Sequence, residues 1–534
     1  MNFNIKILNE QFVIFIAIAV FYALGNFIWW LINTPIIPTG YSALHFNDIF
    51  NSGFLFHSAP LVTGIMKFMF LVFGTEYYDL IIIFINYIFF LISLYFIYKI
   101  GIKLKDRETG NIAMLLFALV PAVYDLSRQY GHQDYHIMTG MTFNIYCLIQ
   151  TDYFKNRKWA VWYGISVGLG LMIKDAFLAY FFMPFMYVSI LGVIKKSDKT
   201  KTVKNIVIAV ITASIISGWH YFRPGIIKKI LNEPVVETAP VFTFESLRVT
   251  TIGLWEYLLS FPIFVVFIIG FVYFIWKYKW EYKNLILLWF FIPWAIITFM
   301  PHHKIPVYCT AFIPAMILPC SVFISSAIPA SFKKLTIIVL LIIGILQYID
   351  FSFNKSNYKF FDFEVNWNGY RIKYYKTDSL LIPLDDNGKK AIIKAVGYFE
   401  SKYLDKKCKI YIVDYDDIDI DGFLGYMKLK NIDCIWPDRI GYGNMDVLKS
   451  DIIISFGNQK TIEELIEIQL SRMKEYPWMR YNRQSFIEEE TEKIKNIFNK
   501  IEKHYRIIDT FYIHDFSNRE LKVTLFGKKK QFPV

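Results

Sequence analysis

The 534-residue chain is 55% hydrophobic and 19% aromatic, with only 19% charged residues, and its mean hydropathy of +0.37 excludes an ordinary water-soluble enzyme. Residues 1–350 carry 26 Lys and Arg and 17 Asp and Glu, whereas the shorter remainder carries 31 and 28; the chain therefore divides into a membrane part, 1–350, and a soluble domain, 351–534. Most of the net charge of +12 falls in the membrane part, where loop lysines account for it, so no nucleic-acid partner is indicated.

Lys6 precedes a long apolar run without a small-residue cleavage site, which predicts a retained first span. Apolar runs long enough to cross a bilayer, about 20 residues or somewhat fewer, lie at 11–33, 79–98, 110–124, 136–151, 159–173, 176–194, 203–222, 252–276, 284–300, 306–328 and 334–350. Basic clusters around Lys99–Arg107, Lys155–Lys158, Lys195–Lys204, Lys277–Lys283 and Lys333–Lys334 fall on one side of this series. The positive-inside rule makes that side cytoplasmic. About 11 crossings from a cytoplasmic N-terminus then put residues 351–534 outside the cytoplasmic membrane. Counting 59–73 (APLVTGIMKFMFLVF) as a span would break this alternation. It is expected as a surface helix ended by Gly74, in an outer loop at 34–78 that holds a second short helix around 44–56. A second outer loop, 223–251, has the length of a lid or binding element.

Beyond residue 350 the periodicity alternates between amphipathic helices near 387–404, 460–474 and 486–503 and short β-rich runs at 409–413, 451–456, 506–513 and 521–526. The last two runs read as a closing hairpin, and the whole as an α/β domain with a small mixed sheet. It has no G-x-G-x-x-G, and its acidic run at 414–422 lacks the ligand spacing of a calcium loop. Five scattered cysteines without C-x-x-C spacing indicate neither zinc nor a disulfide framework, although an exterior domain leaves pairing of Cys408 with Cys434 open.

The histidines of the membrane part, and most of its acids, fall on the expected outer side. Ionisable groups near hydrocarbon are expensive and tend to mark sites. Asp48 follows the first span, and His57-x-x-Pro60 opens the surface helix. R-Q-Y-G-H-Q-D (128–134), G-L-G-L-M-I-K-D (168–175) and H-H-K-I-P-V-Y (302–308) stand at later outer edges. Lys174, Arg128, Arg223, Arg248 and Lys304 are candidate phosphate binders. Lys174 stands out because the spans beside it are short for a bilayer about 30 Å thick; a snorkelling lysine paired with Asp175 is the alternative. His57, His302 and His303, with nearby acids, could hold a divalent metal, but their spacing does not specify one. Asp134 is also well placed as a helix cap.

In order and spacing, these motifs resemble the GT-C membrane glycosyltransferases, the group of the dolichyl-phosphate-mannose protein mannosyltransferases and the lipid A aminoarabinose transferases. The resemblance implies a polytopic α-helical GT-C fold and a polyprenyl-phosphate sugar donor. It further implies Asp48 as general base toward a protein, lipid or glycan acceptor on the outer face. His57, Asp134, His302 and His303 would then contact substrate. Many members carry two adjacent acids where this chain has Asn47-Asp48. The rival reading is a transporter or lipid flippase, for which internal repeats and spans interrupted near the midplane would be expected.

Overall fold

The computed structural model describes residues 5–34, 60–128, 133–195, 198–223, 244–299 and 306–353. Beyond them it describes the segments 364–367, 370–373, 392–394, 396–398, 401, 410–412, 427, 452–456, 503–514 and 520–528. The chain forms two units, Met1–Thr34 with Phe54–Leu381 and Pro35–Gly53 with Ile382–Val534. Asp48, His57, the predicted helix at 44–56 and the residues His302, His303 and Lys304 lie outside the described residues, as do the predicted helix at 460–474 and all but the last residue of the one at 486–503.

The first unit is a bundle of helices: α1 (Ile5–Asn33), α2 (Pro60–Phe73), α3 (Tyr78–Leu104), α4 (Arg107–Ala118), α5 (Pro121–Leu126), α6 (Gln133–Gln150), α7 (Arg157–Ile173), α8 (Phe177–Lys195), α9 (Lys199–Tyr221), α10 (Phe244–Gly253), α11 (Phe261–Trp276), α12 (Lys283–Phe299), α13 (Ile313–Ala327) and α14 (Ala330–Phe353). Among the described residues, six helices are long and apolar enough to cross a membrane: Val13–Asn33, Tyr78–Leu104, Phe177–Ile194, Lys199–Tyr221, Tyr308–Ala327 and Ala330–Phe353. At about 1.5 Å per residue they run from about 27 to about 40 Å, against a hydrocarbon core of about 30 Å.

Three of the runs expected as single spans are broken, each for a local reason. The run 110–124 splits into α4 and α5 at Val120, whose extended backbone is the conformation a following proline favours. The run 252–276 becomes α10, a π-helical turn (Leu254–Leu259) and α11, with Ser260 at φ +63° turning the chain between them. The run 306–328 opens as a 3-10 turn (Pro306–Phe312) before α13. The surface segment expected at 59–73 is helical, as α2, ending at Gly74 with φ +84°, a left-handed conformation open to glycine.

Helix spacing is set by small residues. A Cβ at Gly164 would stand 2.4 Å from the Ala209 carbonyl oxygen, and one at Gly168 would stand 2.7 Å from Ile216 Cβ. This G-x-x-x-G face lets α7 and α9 pack backbone to backbone. At the opposite end of the bundle from Arg128 and Lys174, Asp106 caps α4 by accepting from the Thr109 N–H and hydroxyl, each at 2.8 Å. Lys105 and Lys333 both reach the Ser325 carbonyl near the C-terminus of α13, at 2.9 and 3.1 Å, where cations suit the helix dipole. Asp152, Tyr153 and Phe154 form a left-handed turn with φ of 47°, 57° and 61°. Asn205 holds that turn by donating to the Phe154 carbonyl at 2.7 Å.

The second unit contains β3 (Ile410–Ile412), β4 (Ile452–Phe456), β5 (Tyr505–His514) and β6 (Glu520–Lys528), in the order β3-β4-β6-β5. β3 and β4 are parallel, and β4, β6 and β5 pair antiparallel. This is the small mixed sheet and closing hairpin expected from the β-rich runs. In the first unit, β1 (Glu364–Trp367) and β2 (Tyr370–Lys373) form a further hairpin with Trp367 opposite Tyr370. The intervening Asn368-Gly369 is a strong short-range hairpin signal in the sequence.

Candidate functional site

Four described site residues lie at one end of the bundle: Arg128 after α5, Asp134 in the first turn of α6, Lys174 closing α7 and Arg223 following α9. Asp134 and Lys174 meet directly. The Lys174 ammonium donates to both carboxylate oxygens of Asp134 at 3.0 Å, with the Asp134 side chain 5% exposed and that of Lys174 29%. The same ammonium stands 4.9 Å from the Tyr308 ring centroid, and Tyr180 donates to the Tyr308 carbonyl at 2.8 Å, fixing the backbone there.

The alternative pairing of Lys174 with Asp175 is not the one formed. Asp175 accepts from the Tyr221 hydroxyl at 2.6 Å, which ties the α7–α8 turn to α9 and leaves Lys174 to Asp134 on α6. The physical reason is the backbone at Lys174. Its extended conformation at φ −165°, ψ 143° ends the helix, so successive side chains there point apart.

Arg223 donates from Nη2 to His220 Nδ1 at 3.0 Å. Because a guanidinium only donates, Nδ1 of this ring is the bare nitrogen and the proton sits on Nε2. Arg223 also lies 5.9 Å from the Trp219 ring centroid. Arg128 is 3% exposed and bonds to neither Asp134 nor Lys174; it is held by Asn26 and Ser352. Arg248 lies in α10, with its side chain outside the described part. Among the described residues no group of three metal-ligating side chains occurs.

Farther along α6 from Asp134, His136 Nε2 lies 2.9 Å from Asn86 Oδ1 on α3, and Thr139 Oγ1 lies 2.7 Å from Ser93 Oγ. Farther along, Asn144 donates to Ser166 on α7 at 3.0 Å. Polar side chains of α6 therefore reach α3 and α7 across helix interfaces inside the apolar bundle, while among the described residues Asn144 Oδ1 has no hydrogen-bond partner. Sequence reasoning singled out Asp134 but missed Tyr308 and Asn26. Tyr308 sits within the quoted H-H-K-I-P-V-Y, and Asn26 is a lone amide inside a span, itself a signal.

Residues 57–222 match the family model described as dolichyl-phosphate-mannose-protein mannosyltransferase. That segment contains α2 through α9 and both partners of the Asp134–Lys174 pair. The match covers about a third of the chain and agrees with the resemblance read from the outer-edge motifs.

Solved structures similar to this chain include ArnT from Cupriavidus metallidurans bound to undecaprenyl phosphate, at 10% identity over 64% of this chain and 71% of that one, with a TM-score of 0.46. They also include the Archaeoglobus fulgidus oligosaccharyltransferase in complex with Zn and sulfate, at 13% identity over 97% and 74%, with a TM-score of 0.49. The Archaeoglobus fulgidus oligosaccharyltransferase AglB in complex with an inhibitory peptide and a dolichol-phosphate matches at 12% identity over 97% and 75%, with a TM-score of 0.48. No curated protein sequence matches the chain.

Proposed function

We propose that the protein is a glycosyltransferase that moves one sugar from a polyprenyl-phosphate donor to an acceptor outside the cytoplasmic membrane. The observation that carries this reading is the half-buried Asp134–Lys174 pair within the segment that matches the mannosyltransferase family. An ion pair kept at the end of a membrane bundle offers the cation a departing lipid phosphate needs.

In the proposed reaction the acceptor hydroxyl gives its proton to the Asp48 carboxylate as its oxygen attacks the anomeric carbon. The bond from that carbon to the phosphate oxygen breaks, and polyprenyl phosphate leaves with the electron pair. Lys174, Arg223, Arg248 and Lys304 are the proposed partners of the charge that develops there, joined by Arg128. A single base and one displacement predict inversion at the anomeric centre. His57, His302 and His303 are proposed to contact sugar or acceptor, and the 351–534 domain to flank the site mouth.

The test compares wild type with Asp48→Asn in a transfer assay, alongside mass spectrometry of co-purifying lipids. The expected result is a polyprenyl phosphate or its sugar adduct in both preparations, with transfer lost in the variant. A folded Asp48→Asn protein at full transfer activity would sink the catalytic assignment.

A further inference from the structure

The last turn of α9 holds Arg223 through several contacts. Its Nη2 donates to His220 Nδ1 at 3.0 Å, its Nε approaches the His220 carbonyl oxygen at 3.5 Å, and its guanidinium carbon lies 5.9 Å from the Trp219 ring centroid. The same turn is fastened beside Lys174. The Tyr221 hydroxyl lies 2.9 Å from the Leu171 carbonyl oxygen, just before Lys174, and donates to Asp175, just after it, at 2.6 Å. His220 itself is 1% exposed, and no step of the proposed transfer uses it.

The contact between His220 and Arg223 exists in one protonation state of the ring. A guanidinium offers donors and no acceptor, so Nδ1 must keep its lone pair. A proton there turns the acceptor into a donor and sets an imidazolium against the guanidinium. Among the described residues the charged groups that face this ring are Arg223, at its own helix end, and Asp175, in the turn between α7 and α8. Asp175 is already engaged by Tyr221. Of the helices packed against α9, α7 carries charge at Arg157 and Lys158, at its far end, and α8 at Lys195; Lys174, which closes α7, is turned to Asp134. The cation that answers to the state of the ring is therefore Arg223. An arginine that must be fixed in one rotamer at the moment of binding weakens that binding by about three- to tenfold. The His220 contact fixes it beforehand.

We propose that His220 is a positioning residue: its neutral ring holds the Arg223 fork ready for the phosphoryl oxygens of the donor, and protonation of the ring releases the fork. The inference rests on the phosphate role proposed above for Arg223 and adds the residue that sets its geometry and its response to pH.

The test measures binding of undecaprenyl phosphate to the full-length protein in micelles at about pH 7.5 and about pH 5.5, on either side of the ordinary histidine value near 6.5. A phosphate monoester takes up a proton over the same range, so each variant is compared with wild type at the same pH. His220→Asn keeps an acceptor, with Oδ1 at the same position along the side chain as Nδ1, and does not titrate. It should match wild type at the higher pH and bind about three- to tenfold more tightly than wild type at the lower one. His220→Leu has no acceptor; it should be weaker than wild type by that factor at the higher pH and equal to it at the lower. With Arg223→Ala added to each, the three proteins should bind alike.

Wild type and His220→Asn alike at both pH values would overturn the positioning role, as would a difference between them that persists with Arg223→Ala. Should His220→Leu not fold, that comparison decides alone. Protein that binds in the expected pattern but transfers no sugar keeps the positioning role and sinks the transfer reaction, whereas transfer without the pattern sinks the positioning role alone. No binding of undecaprenyl phosphate by any of the proteins would overturn both.

Discussion

The Asp134–Lys174 pair permits a quantitative test of whether the end of the bundle is built around charge. Lys174→Met keeps the apolar stem and removes the ammonium, leaving Asp134, 5% exposed, without its cation. Breaking a fully buried pair costs about 3–5 kcal/mol. Because the Lys174 side chain is 29% exposed, water shares the solvation, and a cost of about 2–3 kcal/mol is expected. Asp134→Asn keeps the shape and removes the anion, so it should cost a similar amount. The double variant should be scarcely worse than either single one, which gives a coupling energy of about 1.5–2.5 kcal/mol. Equilibrium unfolding of the four proteins in mixed micelles reads this cycle. A coupling below about 0.5 kcal/mol, the scatter of independent sites, would show that the contact contributes nothing and refute the argument.

Three further outcomes follow from other contacts. Since both Asp134 oxygens occupy the Lys174 ammonium, a lipid phosphate at Lys174 competes with them; Asp134→Asn is expected to retain more polyprenyl phosphate through purification than wild type, as read by mass spectrometry. Gly164→Val would drive a side chain into the Ala209 carbonyl of α9 and should lower stability by about 1–3 kcal/mol, visible as a lower unfolding midpoint, while the same change at Gly397, where a Cβ would meet nothing within 4 Å, should not. Burial works to raise the Asp106 carboxyl, but the Thr109 N–H and hydroxyl and Lys105 outweigh it and hold it below its ordinary value. Its contribution is therefore complete above the unfolded carboxylate range, near pH 4, and is lost as pH falls through the folded value; Asp106→Asn should differ from wild type in stability at neutral pH and converge with it in acid.

Among the described residues, six of the eleven expected runs are helices long and apolar enough to span, because hydrophobic run length acts locally along the chain. The runs that broke did so where a second local rule competed with hydropathy. Pro121 cannot donate to the preceding turn and favours the extended backbone observed at Val120. Ser260 adopts a left-handed backbone that no hydropathy average registers. The 364–373 hairpin went unread despite Asn368-Gly369, since its strands are too short to stand out by alternation.

The candidate site was legible residue by residue but not as a set of partners. Lys174 has an acid directly after it in sequence, and nearness along the chain favours Asp175. Partner choice is decided by where α7 ends. An extended Lys174 points its side chain away from Asp175 and toward α6, while Tyr221 on α9 takes Asp175 instead. Arg128 shows the same limit from the other side. Its neighbours in sequence, Asp125 and Asp134, made an ion pair the natural expectation, yet the chain carries the guanidinium into a box of rings from α1, α5 and α14. Trp29 and Tyr348 are drawn from opposite ends of the membrane part, so no window of sequence contains that box. The guanidinium is given three ring faces and two neutral acceptors in place of a carboxylate, partners that only the folded bundle brings together.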